Sequence, residues 1–180
     1  MLSGSVARRY ARAILLLGEQ HGNSDLLASE IERLANTYDK SADLRGLLEN
    51  PAFTLAQRQS VLDEISRRLL LSRTIHNFAS LLLSRGRLSH LPGIARNLRQ
   101  LVDEHAGRVR ARVTSARPLD AMTESRLSTA IGRATGRAVL LDKRVDPSLI
   151  GGIVTQVGDV VYDGSVAAEL QQLRDRWTKN

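Results

Sequence analysis

A chain of 180 residues with 42% hydrophobic but only 3% aromatic residues builds its core from Leu, Ile, Val and Ala, as one domain or two small ones. The absence of Cys excludes a disulfide framework, thiolate zinc sites and cysteine nucleophiles, and it fits a reducing compartment. The net charge of +7, carried almost wholly by arginine, points to nucleic acid or an acidic protein surface as partner.

That charge is uneven. From Glu19 to Glu49 acids outnumber bases seven to three, and from Pro51 to Val102 bases outnumber acids eight to two (Asp63 and Glu64). Either the two regions are solvated faces of one bundle or they dock charged partners. No apolar run approaches the roughly 18–20 residues that span a bilayer. Ala13 to Leu17 is shorter than the ~7–15 residues of a signal-peptide core, so Arg8-Arg9 is not read as an export signal. The expectation is a soluble, cytoplasmic protein, held at a membrane only through partners.

Residues 1–105 read as helices. Val6, Tyr10, Ile14 and Leu17 recur at helical spacing with Ala13 beside them, until Gly22 stops the run. A second helix from Asn23 or Ser24 carries Leu26, Leu27, Ile31, Leu34 and Tyr38 on one side. A short third holds Leu44, Leu47 and Leu48 and ends at Asn50-Pro51, because a residue before proline disfavours the α region. Thr54-Leu-Ala-Gln57 is a capping box for a fourth, with Val61, Leu62, Ile65 and Leu69. The fifth follows Ser72 with Ile75, Phe78, Ala79 and Leu82, closed by Gly86. The sixth runs through Leu91, Ile94, Leu98, Leu101 and Val102 to Gly107, with Pro92 in its first turn. Six amphipathic helices with short connections predict a bundle.

At Gly107 the period changes to two. Val109, Ala111 and Val113 share one strand face, and Arg108, Arg110 and Arg112 the other. Asp120 caps a helix with Leu127, Ile131 and Ala134 inward, ended by Gly136. A second strand covers Ala138 to Val145. The stretch Asp146-Pro-Ser-Leu-Ile-Gly-Gly152-Ile-Val-Thr-Gln-Val157-Gly-Asp159-Val-Val-Tyr-Asp163-Gly-Ser165 then reads as strand, turn, strand and cap. Gly158-Asp159 forms a hairpin turn of type II′ or similar, and Asp163-Gly164 supplies a positive φ. Gly151-Gly152 either bends the backbone or admits another element where a Cβ would clash. Ser165 caps a closing helix, Val166 to Trp177. The predicted architecture is α+β: a six-helix bundle over 1–105, then a small α/β domain over 106–180.

Several motifs carry a resemblance. Asp146-Pro-Ser-Leu-Ile-Gly-Gly152, Val157-Gly-Asp159 and Asp163-Gly-Ser165-Val resemble the C-terminal signature of the delta subunit of F-type ATP synthases, a family that includes the mitochondrial oligomycin-sensitivity-conferring protein. Tyr10-Ala-Arg-Ala13-Ile, Leu48-Glu-Asn-Pro51, Asn77-Phe78, Arg85-Gly-Arg87-Leu88 and Ser115-Ala-Arg-Pro118 are similar to further landmarks of the family in the same order. Arg58 departs from it, standing where many relatives have Lys, and keeps the charge.

The resemblance implies a stator subunit without catalysis or cofactor, joining the catalytic head to the peripheral stalk of a membrane-bound rotary enzyme. It implies that the helical domain receives the N-terminal helix of an alpha subunit between its first and fifth helices. Tyr10, Ala13, Asn77, Phe78 and Leu81 are the candidate contacts, with ordinary core packing the competing role for Tyr10 and Phe78. The C-terminal domain would meet the b subunits of the stalk. Asp146, Gly151, Gly152, Gly158, Asp163 and Gly164 are assigned mainly to building that domain's local fold, and Arg108, Arg110 and Arg112 are candidate stalk contacts from charge alternation alone. The location implied is the cytoplasmic side of the cell membrane, peripheral.

Catalytic chemistry has little support. The glycines match neither the P-loop spacing nor Gly-x-Gly-x-x-Gly. His21, His76, His90 and His105 lack paired ligand spacing, and Asp146, Asp159 and Asp163 each sit beside Gly or Pro in turns. The competing function is RNA binding by an arginine-rich helical bundle of the antitermination-factor type. Three Tyr, two Phe and one Trp offer few stacking platforms for it, and it leaves the C-terminal signature unexplained.

Overall fold

A computed structural model describes residues 3–158, 160–166, 168, 170 and 174. The chain divides into two compact units, Met1–Val102 and Asp103–Asn180. The first is built from α1 (Ser3–His21), α2 (Ser24–Lys40), α3 (Ala42–Glu49), α4 (Leu55–Arg68), α5 (Arg73–Ser84), a 3-10 turn at Leu88–His90 and α6 (Leu91–His105), whose last turn belongs to the second unit. The predicted start signals operate. Thr54 and Gln57 form the reciprocal capping box of α4, and the Ser72 hydroxyl accepts the Ile75 N–H at the start of α5.

The bundle core is aliphatic. Ile14, Leu27, Ile31, Leu62, Ile75, Leu82 and Leu98 are fully buried, each contributing on the order of 2 kcal/mol of transfer free energy. Two expected core residues are not there. Leu17 and Leu26 are exposed, because Ala7, Ala11, Ile14 and Leu15 already fill the buried face of α1 and Leu27, Ala28 and Ile31 that of α2. The bundle also buries one carboxylate, Glu30, which accepts from the backbone N–H (3.0 Å) and hydroxyl (2.6 Å) of Ser72. One α4 feature had no sequence signal: Leu70 adopts φ +50° just past the helix, while the Leu71 N–H closes on the Ser66 carbonyl at 3.0 Å. That left-handed position ordinarily belongs to Gly.

The second unit contains β1 (Arg108–Ser115), α7 (Ala121–Thr135), β2 (Ala138–Val145), β3 (Gly152–Val157) and β4 (Val160–Ser165), with sheet order β2-β1-β3-β4. Parallel pairing of β1 with β2 requires a crossover, which α7 supplies, and β3 and β4 add as an antiparallel hairpin. The Asp120 carboxylate caps α7 through the Thr123 N–H at 2.6 Å, and Gly136 ends it at φ +66°. Ala111 and Val113 are buried on one face of β1, as their alternation with arginine predicts. The whole is the expected α+β fold. Ala134, expected to point inward from α7, is exposed.

In the signature stretch, Gly164 does not supply a positive φ. It is an extended residue of β4 opposite Ile153, and Asp163 precedes it in the same strand rather than in a turn. The positive angles belong to Gly152 (φ +83°) and Gly158 (φ +59°). Asp159 and most of the expected closing helix, Val166 to Trp177, lie outside the described residues, although the Ser165 hydroxyl accepts the Ala168 N–H at 3.2 Å as a helix cap does.

Candidate functional site

The candidate surface of the bundle arises from what the core leaves over. On α1 the buried stripe of Ala7, Ala11, Ile14 and Leu15 turns Tyr10 to the edge of the core and leaves Ala13 and Leu17 exposed. On α5 the buried stripe of Ile75, Ala79, Leu82 and Leu83 does the same to Phe78, and it leaves Asn77 and Leu81 exposed, Leu81 at 45%. The two helices meet through Tyr10 and Phe78, whose rings touch edge to face with centroids 5.9 Å apart. Tyr10 and Phe78 are therefore half-buried ring contacts packed against the core, intermediate between the two roles the sequence allows them.

One residue absent from the predicted set completes this surface. The Arg87 guanidinium donates to the Tyr10 hydroxyl at 2.8 Å. Its position follows from Gly86, whose φ of +62° turns the chain back so that the Arg87 N–H reaches the Leu82 carbonyl at 2.8 Å. The helix-stop glycine was the available signal. Leu17 was missed as a surface residue because four consecutive apolar residues, Ile14 to Leu17, cannot all face one core.

Part of the remaining charge is taken up in ion pairs. Arg99 grips Glu32 through two bonds of 2.8 and 2.7 Å and reaches Asp25 at 3.4 Å, while Arg67 and Arg68 close on Glu64. His76 and Asp63 meet at 2.8 Å, and hydrogen bonding from His76 and then Gln59 holds the Asp63 carboxyl below the usual range. Elsewhere a cavity of about 220 Å³ lies among Leu48, Glu49, Arg58, Leu83, Gly86, Leu88 and Ser89. At its edge Glu49 accepts from the Tyr38 hydroxyl, whose phenol is pushed well above its ordinary range by burial and then by that carboxylate.

In the second unit the signature residues build backbone geometry. A Cβ on Gly152 would lie 2.2 Å from the Gly164 carbonyl oxygen, and one on Gly151 would lie 3.2 Å from Val166. On Gly164 it would lie 3.3 Å from the Ile153 carbonyl oxygen, whereas at Gly158 it would meet nothing. Asp146 accepts from the Ser148 N–H (2.9 Å) and hydroxyl (2.6 Å), and Asp163 from the Ser165 N–H (2.9 Å). The strand arginines are partly engaged. Arg108 (3.5 Å) and Arg110 (3.1 Å) face the buried carboxylate of Asp103, and Arg112 stands 3.6 Å from its register neighbour Asp142, its side chain 51% exposed. Asp103 was not anticipated, since an acid in the last turn of a helix has no pattern that announces its burial.

The described residues thus form a capped helical bundle and a small sheet domain. No helix among the described residues is long and apolar enough to cross a membrane. Comparison with known proteins makes the class specific. The model of the ATP synthase delta (OSCP) subunit family matches residues 6–176. "ATP synthase subunit delta" of Anaeromyxobacter dehalogenans (strain 2CP-C) is 44% identical over 174 residues, covering 97% of each chain. The proteins of that name from Myxococcus xanthus (strain DK1622) and Geobacter metallireducens are 42% and 40% identical over 176 residues, again with 97% of each chain covered. A chain of the Toxoplasma gondii mitochondrial ATP synthase hexamer shares the fold, with TM-score 0.68 and 22% identity over 99% of this chain and 98% of that one. The chain belongs to the ATP synthase delta (OSCP) subunit family. It is a non-catalytic stator subunit of an F-type ATP synthase, and the RNA-binding alternative has no support among its relatives.

Proposed function

We propose that the helical unit holds the catalytic head by receiving the amphipathic N-terminal helix of an alpha subunit on the α1/α5 surface, while the C-terminal unit meets the b subunits of the peripheral stalk. The complex would then sit on the cytoplasmic side of the cell membrane, with this chain held there only through its partners. The observation that carries the reading is the apolar strip of Tyr10, Ala13, Leu17, Phe78 and Leu81, half-buried or exposed around one ring contact. It suits helix-in-groove recognition, with Ala13 small enough for close approach. In the sheet unit Arg112 is the most exposed of the three strand arginines and the one best suited to an acidic stalk helix.

The mechanical demand is slow release under rotor torque. Nanomolar attachment corresponds to about −12 kcal/mol. Two moderate contacts on one linked chain reach high avidity through effective concentration. Titration of Ala13→Asp with a synthetic alpha N-terminal peptide tests the head contact. Because Ala13 is exposed, the expected result is a loss of about tenfold or more in affinity with unchanged unfolding. Unchanged affinity would overturn the assignment of the surface.

A further inference from the structure

We propose that Arg87, held in place by Tyr10, is the carboxylate-reading end of the α1/α5 surface, and that the docking helix presents an Asp or Glu to it. This rests on the reading of that surface as the alpha-helix site and adds the chemistry of its occupant. Arg87 is half-buried, and its hydrogen bond goes to a neutral phenol. Among the described residues no carboxylate pairs with it. The comparably buried Arg99, by contrast, is saturated by Glu32 and Asp25.

A half-buried guanidinium without a counter-ion is costly to keep in place unless something compensates it. Here the backbone turn at Gly86 and the Tyr10–Phe78 ring contact hold it ready. The phenol engages one guanidinium N–H and, as an acceptor, keeps its own proton for donation. An incoming carboxylate would therefore meet two donors, in charge-assisted bonds of the stronger kind.

The surroundings set the sign of the partner. The face of α1 that carries Tyr10 (Val6, Arg9, Ala13, Leu17) and the face of α5 and its cap that carries Phe78 (Thr74, Asn77, Leu81, Arg85) include arginines and no acid, whereas the exposed Glu19 of α1 falls off that face by helical spacing. A basic occupant would be repelled. An amphipathic helix with an acid flanking its apolar stripe would be both steered and fixed in register.

The test is calorimetric titration of the full chain with two synthetic peptides. One is the N-terminal segment of the alpha subunit from the same ATP synthase, and the other is that segment with every Asp and Glu changed to Asn and Gln. The wild-type chain is expected to bind the neutralised peptide on the order of tenfold more weakly. Arg87→Met should lose a similar factor for the natural peptide and cease to discriminate between the two. Tyr10→Phe should lose less, and Arg87→Lys should keep part of the discrimination. Equal binding of both peptides by the wild-type chain overturns the proposal without recourse to any variant. So does discrimination that survives Arg87→Met, or that vanishes instead in Arg85→Met. Failure of the wild-type chain to bind either peptide overturns the underlying site assignment, a result distinct from equal binding of both.

Discussion

A side chain on Gly152 would place its Cβ 2.2 Å from the carbonyl oxygen of Gly164, at a residue whose φ is +83°. Two independent restrictions meet there, a left-handed backbone and a strand passing too close for any Cβ. Gly152→Ala is therefore expected to cost the C-terminal unit at least ~3 kcal/mol. Gly158→Ala, with φ +59° and open space around it, should cost only about 1 kcal/mol. Amide spectra of the two variants check this: Gly152→Ala should lose the sheet resonances and retain those of the bundle. Equal behaviour of the two would show that the close approach is not what selects glycine.

At Leu70 the chain takes φ +50° with the side chain 83% exposed, so the leucine bears left-handed strain and gains little burial. Leu70→Gly should stabilise the bundle by about 0.5–1 kcal/mol, part of the relief being offset by the greater freedom of the unfolded chain. Chemical denaturation measures it, and destabilisation would mean that Leu70 makes contacts worth more than the strain.

The pairing of Arg110 with buried Asp103 separates two arginines that look alike in sequence. Arg110→Gln should destabilise the protein by about 1–2 kcal/mol, the partial exposure of Arg110 moderating the loss. Arg112→Gln should stay within ~0.5 kcal/mol. For binding to a peptide from the stalk's b subunit the expected order reverses, with Arg112→Gln the more harmful. Thermal melts and titrations of the same two variants check both halves.

Hydrogen bonds from the Thr123 backbone at Asp120, and from the Ser148 hydroxyl and backbone at Asp146, hold these two carboxyls below their ordinary range. A depressed folded-state pKa contributes stability above the unfolded value of about 4 and loses it as pH falls through the folded one. The sheet unit should therefore melt at a lower temperature at pH 3 than at pH 5. Asp120→Asn keeps a capping oxygen without the titration, and it should narrow that gap.

Much of this protein was determined by sequence alone. The helix caps at Thr54, Ser72 and Asp120, the strand alternation from Arg108 to Val113 and the span Ala138–Val145 of β2 are local, because hydrogen bonds and side-chain periodicity within a few residues decide them. Several of the short motifs that carried the family are local for the same reason: Asn50-Pro51 ends α3, Gly86 turns the chain and Gly152 permits a close approach. Tertiary structure alone decided which apolar residues were surplus to the core. Leu17 and Leu26 follow the same helical period as their buried neighbours, and only the packing of other helices determines how wide the buried stripe can be. It also chose the partners of charge. Arg87 reaches Tyr10 across 77 positions and Arg99 reaches Glu32 across 67, whereas the acid that holds Arg110 is a buried helix residue whose burial no local pattern announces. Contacts between distant parts of a chain depend on how its elements pack, and that is where the candidate surface was assembled.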